Sequence, residues 1–312
     1  MDITLIKTFL EVSASGSFVA ASDRLFVTQS AVSLRIQRLE DSLGHALFTR
    51  SKAGALLTSA GKEFEIYALS LLKLWEEARQ QIAIPDGFSR AFTLGAQYSL
   101  WPRLGFRLID EMQKRLPDLS VRAEVGMPDR LTRFLIEGVI QAALTYTPQL
   151  RPGLKVEAVM DDELVLVASW PATCLDLDGR YIFIDWGPEF THAHAICLPD
   201  LANSGLTMVL GALGAEYIVN RRAAAYLPAR SVKRYLDAGH LHLVPDAPRF
   251  PYPIWAVWRE DLDPLVLRTG RDSIAQIVEI AEEDQEPMVA HLVEMGGGYD
   301  SAPPDDRFSS EQ

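Results

Sequence analysis

The chain has 312 residues, 48% of them hydrophobic, a mean hydropathy of +0.04 and a formal net charge of −12. That length exceeds a usual single domain, and no apolar run approaches the ~18 residues of a membrane span; the longest, Met208 to Val219, is short and carries Glu216. Cys174 and Cys197 fit a reducing cytoplasm and offer neither a disulfide framework nor a four-ligand zinc site, and the first residues lack the basic and apolar segments of a secretion signal.

The acidity is uneven. Residues 1–84 hold nine basic and nine acidic side chains, whereas residues 260–312 hold three against fourteen, so the N-terminal part is neutral and its arginines act locally. Screening over ~8 Å leaves them free to do so. Ile3 to Val12 reads as an opening helix with Ile6, Phe9 and Leu10 inward. Phe18, Ala21 and Leu25 then mark one helical face, and Val32, Ile36, Leu39 and Leu43 another, with Thr28 or Ser30 as cap and the small Ala20 and Ala21 allowing a close crossing. This is a helix-turn-helix, whose second helix enters a major groove. Its outer face carries Gln29, Ser30, Ser33, Arg35, Gln37 and Arg38, side chains suited to base edges and phosphates. An ordinary amphipathic helix with a solvated polar face is the alternative. Beyond Gly44 comes a short strand pair joined by Ala53-Gly54, a wing that sets Arg50 and Lys52 over a phosphate backbone, and then a long helix capped by Thr58.

From Phe9 to Gly61 the chain closely resembles the winged helix-turn-helix of LysR-type transcriptional regulators. The residues that carry the resemblance are Phe9, Gly16-Ser17-Phe18, Ala20-Ala21, Leu25, Thr28-Gln29-Ser30-Ala31-Val32-Ser33, Ile36, Leu39-Glu40, Leu43-Gly44, Leu47-Phe48, Arg50, Leu57-Thr58 and Ala60-Gly61. Leu34 departs from the pattern, since the family more often carries a polar residue there. The resemblance implies a mainly α winged helix-turn-helix domain joined by a long linker helix to a two-lobed α/β effector domain of periplasmic-binding-protein type. It implies double-stranded DNA with an interrupted dyad operator as partner, met by Thr28, Gln29, Ser30, Ser33, Leu34, Arg35, Arg38, Arg50 and Lys52. Gln29, Ser30 and Ser33 are expected at base edges, and Arg35, Arg38, Arg50 and Lys52 on phosphates.

Leu57, Ala60, Phe64, Tyr67, Leu71, Leu74 and Ala78 alternate spacings of three and four, the a/d seam of a coiled coil or a face packed on its own domain. The resemblance implies the first, a homodimer through Phe64, Tyr67, Leu71, Leu74 and Ala78, paired further into a tetramer. Pro85-Asp86-Gly87 stops the helix and reads as a hinge. The texture then turns α/β: strand Ala91 to Gly95, helix Leu100 to Leu116, strand Leu119 to Val125, helix Asp129 to Glu137, strand Gln141 to Thr145. That order predicts a parallel sheet with ligands beyond the strand C-termini. An α/β enzyme domain reads the same way. Leu116-Pro117-Asp118-Leu119 and Gly126 resemble the family's effector domain, while Gln141 stands where the family commonly has Asp. A second lobe has a strand over Tyr181 to Trp186, Ala224 to Pro228 before a helix through Leu236, and a turn at Gly239 before a strand Leu241 to Val244. Arg221 to Ala225 replace the family's glycine-rich approach to Pro228. Ile254 to Trp258 return the chain to the first lobe, with Leu265 to Ala281 as a covering helix. The expected divisions are 1–58 for the winged domain, 59–89 for linker helix and hinge, and 90–295 for the effector domain. Within the last, the first lobe takes about 90–164 and 256–290 and the second about 165–255; 296–312 form a disordered acidic tail.

His192-x-His194 and His240-x-His242 each read as two imidazoles on a strand face, with Cys197 the nearest thiol and no further ligand near, so no metal is expected. No G-x-S-x-G elbow, Walker loop or G-x-G-x-x-G follows a strand, so neither catalytic residues nor a cofactor are assigned. Gly211-x-x-Gly214 reads as close helix packing. The Ala96 to Ser99 turn is expected to aim unpaired N–H groups at a cleft. Gln97, Tyr98, Ser99, Trp101, Met127, Thr145 and Tyr146 line it from the first lobe, and Asp185 and Trp186 close it from the second. The bland alternative has Ser99 as a cap and Trp101 as packing. Aromatic surroundings favour a small organic effector, acidic in character. The reading is a cytoplasmic homo-oligomeric regulator without a membrane partner, with RNA polymerase as a further candidate partner. Its rivals are a constitutive DNA binder whose cleft is filled by its own side chains, and an α/β enzyme carrying a DNA-binding head.

Overall fold

Side-chain oxygens of Asp2, Ser17, Thr28 and Thr58 each accept a hydrogen bond from a backbone N–H two or three residues on, and so open the four helices of the N-terminal part: α1 (Ile3–Ser15), α2 (Phe18–Leu25), α3 (Gln29–Leu43) and, after strands β1 (Phe48–Ser51) and β2 (Gly54–Leu57), α4 (Ser59–Ile82). The computed structural model describes residues 2–51, 54–172, 174–177, 179–202 and 204–283, the side chains of 50, 51 and 281–283 excepted. Lys52 and the expected acidic tail, 296–312, lie outside the described residues. The chain divides into two compact units, Met1–Thr93 with Asp118–Arg122 and Thr132–Gln141, and the remainder.

In the first unit the expected inward residues Ile6, Phe9, Phe18, Ala21, Val32, Ile36 and Leu39 form one core with Leu47, Phe48 and Ala55. Phe9 is fully buried between Phe48, 5.3 Å away, and Phe64, 5.0 Å away, a burial that contributes roughly 1.5–3 kcal/mol. Leu43 departs from the expectation and is 37% exposed, because α3 ends there at Gly44. The wing is antiparallel, Phe48 opposite Leu57 and Ser51 opposite Gly54. It docks on the α1–α2 turn, where Ala55 N donates to Gly16 O at 2.7 Å; a Cβ on Gly54 would lie 2.5 Å from that oxygen.

The linker helix divides its apolar residues in a way the seam does not predict. Ala68 and Leu72 are buried in the winged core, and Leu57, Ala60, Phe64 and Leu71 pack against it. Phe64 and Leu71 are thus partly covered by their own chain. What remains exposed is Ile66, Tyr67, Leu74, Trp75 and Ile82, with Ala78 on the same stripe. Periodicity marks an apolar stripe without saying which neighbour covers it.

The next elements are β3 (Arg90–Ala96), α5 (Phe106–Arg115), β4 (Leu119–Val125), α6 (Pro128–Ile136), β5 (Ala142–Thr145), β6 (Leu154–Met160), β7 (Glu163–Ala168), β8 (Phe183–Ile184), α7 (Pro188–Cys197), β9 (Thr207–Met208), α8 (Gly214–Val219), β10 (Ala224–Pro228), α9 (Ala229–Asp237), β11 (His242–Leu243), β12 (Phe250–Pro251), β13 (Ile254–Arg259) and α10 (Pro264–Glu283). One sheet has the order β4-β3-β5-β13-β6; another has β10-β7-β11, with β12 also on β7. The chain leaves the first sheet after Met160 and returns at Ile254, and the crossovers are tied where Tyr252 N donates to Asp162 O at 2.7 Å. β3 and β5 are parallel as expected, but the returning β13 is antiparallel to both β5 and β6, so the sheet is mixed.

Three further expectations change. The helix expected from Leu100 begins with a 3-10 turn at Tyr98–Leu100 and a π turn at Trp101–Gly105, in which the Trp101 ring lies 2.4 Å from the Cβ position of Gly105. The strand expected over Tyr181 to Trp186 shrinks to Phe183–Ile184, with Tyr181 making only an isolated bridge to Ala224. His192 and His194 lie on helix α7, not on a strand, and two residues apart they point to different sides: His194 is buried and its Nε2 meets Tyr181 Oη at 2.8 Å, while His192 is exposed. Only His242 of the other pair is in a strand. Gly214 makes the close approach expected of it, since a Cβ there would lie 2.5 Å from Ile184.

Gln141 joins the linker helix to the sheet inside the first unit. Its Oε1 accepts from Thr93 N at 2.6 Å, its Nε2 donates to Gln80 Oε1 at 2.6 Å, and Gln80 Nε2 donates to the carbonyls of Gly138 and Val139. Glu11 of α1 pairs with Arg24 at 3.0 Å and with Arg133 of α6 at 3.8 Å.

Candidate nucleic-acid interface and ligand cavities

With Val32, Ile36 and Leu39 buried, the rest of α3 is turned outward. Gln29, Ser30, Ser33 and Leu34 line one broad open groove with Gln37, His45 and Ala46. Thr28 serves as the cap, its Oγ1 accepting from Ala31 N at 3.2 Å. Arg38 is exposed outside the groove lining, whereas Arg35 is half-buried and turns back, its Nη1 3.4 Å from Thr8 Oγ1. Glu40 and Asp41 also line the groove, and Glu40 Oε1 is held toward the wing by accepting from Leu47 N at 2.7 Å and Phe48 N at 3.2 Å. Arg50 lies in β1 opposite Ala55. His45 was missed in the sequence because it lies past the helix, in the turn before the wing.

The nine residues expected in the effector cleft do not meet in one place. Gln97 ties two strand ends together, its N donating to Leu144 O at 3.2 Å and its Oε1 accepting from Thr145 Oγ1 at 2.7 Å and Tyr146 N at 2.8 Å. Tyr98 and Met127 are about half exposed, and Trp101 is buried against Phe106 at 5.5 Å. Asp185 accepts from Gly187 N at 2.9 Å, closing its own turn. Of the N–H groups expected to be unpaired at Ala96 to Ser99, that of Gln97 is taken by Leu144 O.

The remaining three, Ser99, Tyr146 and Trp186, border two cavities. Tyr146 stacks on Tyr252 at 4.1 Å, and Trp186 meets Tyr252 edge-on at 5.5 Å while its Nε1 donates to Tyr226 O at 2.9 Å. On one side is an aromatic cavity of about 620 Å³ with Tyr146, Thr147, Trp186, Phe190, Tyr252 and Trp255 in its walls and Glu189 its one charged lining residue. On the other is a polar cavity of about 340 Å³ that holds Ser99, Tyr146, Arg103, Arg107, Asp162 and Arg230. Burial pushes the Tyr146 phenol well above its ordinary value, with the Asp162 charge adding to the effect and a hydrogen bond with Ser99 opposing it. The second cavity was invisible to motif reading because its charges come from three distant stretches. The available signal was the spacing of Arg103 with Arg107 and of Arg230 with Arg234, each pair sharing a helical face. Among the described residues no three His, Cys, Asp or Glu side chains are placed to hold a metal, and no helix is long and apolar enough to cross a membrane.

Comparison with known proteins gives this geometry a family. Residues 3–62 match the bacterial regulatory helix-turn-helix protein, lysR family, and residues 85–173 match the LysR substrate binding domain. The HTH-type transcriptional regulator HdfR of Escherichia coli is 30% identical over 266 residues, which are 84% of this chain and 94% of the relative; HdfR of Salmonella schwarzengrund is 29% identical over the same spans. Among solved structures, ArgP from Mycobacterium tuberculosis shares the fold at a TM-score of 0.53 and 22% identity, over 89% of this chain and 97% of that one. The LysR-type regulator LysG from Corynebacterium glutamicum with bound effector Arg does so at 0.50 and 18%, over 89% and 98%. The chain belongs to the LysR family of DNA-binding transcriptional regulators, with a helix-turn-helix reading domain and a LysR substrate-binding domain.

Proposed function

We propose that the protein reads a two-half-site operator as a homo-oligomer in the cytoplasm, and that a small organic effector in the aromatic cavity changes its grip on that operator. The observation that carries the DNA assignment is the groove on α3, where Gln29, Ser30, Ser33 and Leu34 share one concave surface while the apolar positions of the same helix are buried. Gln29 suits bidentate reading of adenine, Ser30 and Ser33 donate or accept, and Leu34 suits a thymine methyl. Arg38, Arg50 and Lys52 hold phosphate, with Arg35 a weaker contributor because it leans on Thr8. The apolar stripe of Tyr67, Leu74, Ala78 and Ile82 supports pairing of two linker helices. The effector reading rests on Tyr146, Thr147, Trp186 and Gly187, which follow β5 and β8 at their C-terminal ends and line one cavity. That cavity favours an aromatic or apolar ligand over the acidic one expected, since its single charged lining residue is Glu189.

Binding to a library of operator variants tests the assignment. Gln29→Ala relaxes preference at one base pair by about 1–3 kcal/mol, while Arg38→Ala weakens all sequences alike and lowers the salt slope. Equal loss on specific and random DNA by both variants overturns the division of roles. The internally bonded turn at Gln97 favours a second reading, a constitutive regulator. A metabolite screen by thermal shift separates the two, because a ligand for the aromatic cavity raises the melting temperature and quenches Trp186.

A further inference from the structure

The polar cavity gathers charge that neither DNA reading nor the aromatic cavity uses. In a chain of net charge −12, Arg103 of the π turn before α5, Arg107 of α5, and Arg230 and Arg234 of α9 all line it, Arg234 with its Nη2 donating to Tyr235 Oη at 2.6 Å. Lys233 is also there but is met by Asp237 at 2.7 Å. Ser99 adds a hydroxyl. At the inner end sits Asp162, 6% exposed: its Oδ1 accepts from Glu163 N at 2.9 Å and Arg230 N at 3.2 Å, while its Oδ2 is buried with no partner. Arg230 uses its Nε on Asp161 O at 2.8 Å, and its Nη1 is likewise buried and unpartnered. Two buried polar atoms of opposite character, in one cavity and not bonded to each other, cost free energy unless water or a ligand meets both.

We propose that this cavity is a second ligand site, for a small organic dianion such as a dicarboxylate or a phosphomonoester, with Arg103, Arg107, Arg230 and Arg234 as its counter-charges and Asp162 donating a hydrogen bond to it. An acceptor with two negative charges satisfies Arg230 Nη1 directly, and it satisfies Asp162 Oδ2 when that oxygen carries a proton. Burial pushes the Asp162 carboxyl up to about 7, against the opposing pull of the Glu163 and Arg230 N–H groups and of the Arg230 and Arg103 charges. The other titratable groups facing it are the Tyr146 and Tyr252 phenols, both raised by burial and neutral throughout this range. Below pH 7 Asp162 donates; above it, the carboxylate repels the ligand. If only the protonated form binds, affinity falls about tenfold from pH 6 to pH 8, in proportion to the protonated fraction. Because Asp162 lies in the crossover between the two sheets, occupancy bears on the joint that sets their angle.

Sulfate is the probe, since its charge is constant over this range, with sodium chloride of matched ionic strength as control and the full chain as the sample. Sulfate raises the melting temperature beyond chloride at pH 6 and less so at pH 8. Arg103→Gln weakens sulfate at least tenfold, and Arg107→Gln, on an exposed helix face that tolerates exchange, weakens it several-fold. Asp162→Asn keeps an acceptor for the two N–H groups and binds equally at both pH values. No shift beyond chloride at either pH overturns the site, as does unchanged affinity in both arginine variants. A pH slope that survives in Asp162→Asn overturns the role of Asp162, and if that variant does not fold, wild-type affinity that is flat from pH 6 to 8 does the same.

Discussion

Replacing Gln141 with alanine tests how the linker helix is held to the sheet. The change removes the acceptor for Thr93 N and the donor to Gln80 Oε1, both at 2.6 Å. Thr93 is 4% exposed, so water does not replace the lost partner. Leaving that N–H unpaired costs about 1–3 kcal/mol, and the lost amide–amide bond about 1 kcal/mol more, which lowers the local opening free energy by about 2–4 kcal/mol. At 1.4 kcal/mol per factor of ten, the amide of residue 141, which donates to Thr93 O at 3.0 Å, exchanges roughly 30- to 700-fold faster. Hydrogen exchange of the full chain reads this directly. Gln80→Ala shares one of the two contacts, so the double variant is less destabilised than the sum by at least about 0.5 kcal/mol. Exchange within threefold of wild type, or strictly additive effects, refutes the inference that these two amides form the joint.

Leu74→Arg, at a position 64% exposed on the single chain, leaves the helical content unchanged and converts the proposed dimer to monomer by light scattering; a variant whose assembly mass matches wild type removes the linker stripe as an interface. Gly61→Ala puts a Cβ 2.2 Å from Leu47 O and lowers stability by about 1–3 kcal/mol in urea titration, with wild-type stability as the contrary result. Asp162 is raised in the folded chain from 3.8 to about 7, so the native state binds the extra proton and stability declines as pH rises between those values, then levels off. Asp162→Asn lacks that decline; its stability advantage over wild type grows toward about 4 kcal/mol by pH 7 and stays constant above, and an advantage that shrinks over this window contradicts the sign.

Much of the reading domain was legible because each of its signals is local. Ser17, Thr28 and Thr58 sit one residue before their helices, and the spacings of Phe18, Val32 and Ile36 fix one inward face per helix. The linker was half legible: the apolar stripe is real, but Phe64 and Leu71 face the winged core while Tyr67 and Leu74 face out, a choice made by tertiary packing. The effector region was legible in its elements and opaque in its cavities. Gln97 has the right position at a strand end, yet the short reach to Thr145 and Tyr146 spends its side chain on the scaffold. Asp162 and Arg230, 68 residues apart, meet only because the chain crosses between sheets beside the start of α9.

The double crossover bears on how such a chain changes over evolutionary time. β6 and β13 are antiparallel neighbours with Met160 opposite Ile254, and the strands between them form the β10-β7-β11 sheet, with β12 on β7, and the separate β8–β9 pair. Excised there, the first sheet would close as a plain hairpin, with no strand re-threaded and no pairing lost. The second sheet is therefore a cassette inserted into a finished architecture, replaceable or reshapeable at its own pace while the half that carries the linker joint keeps its register.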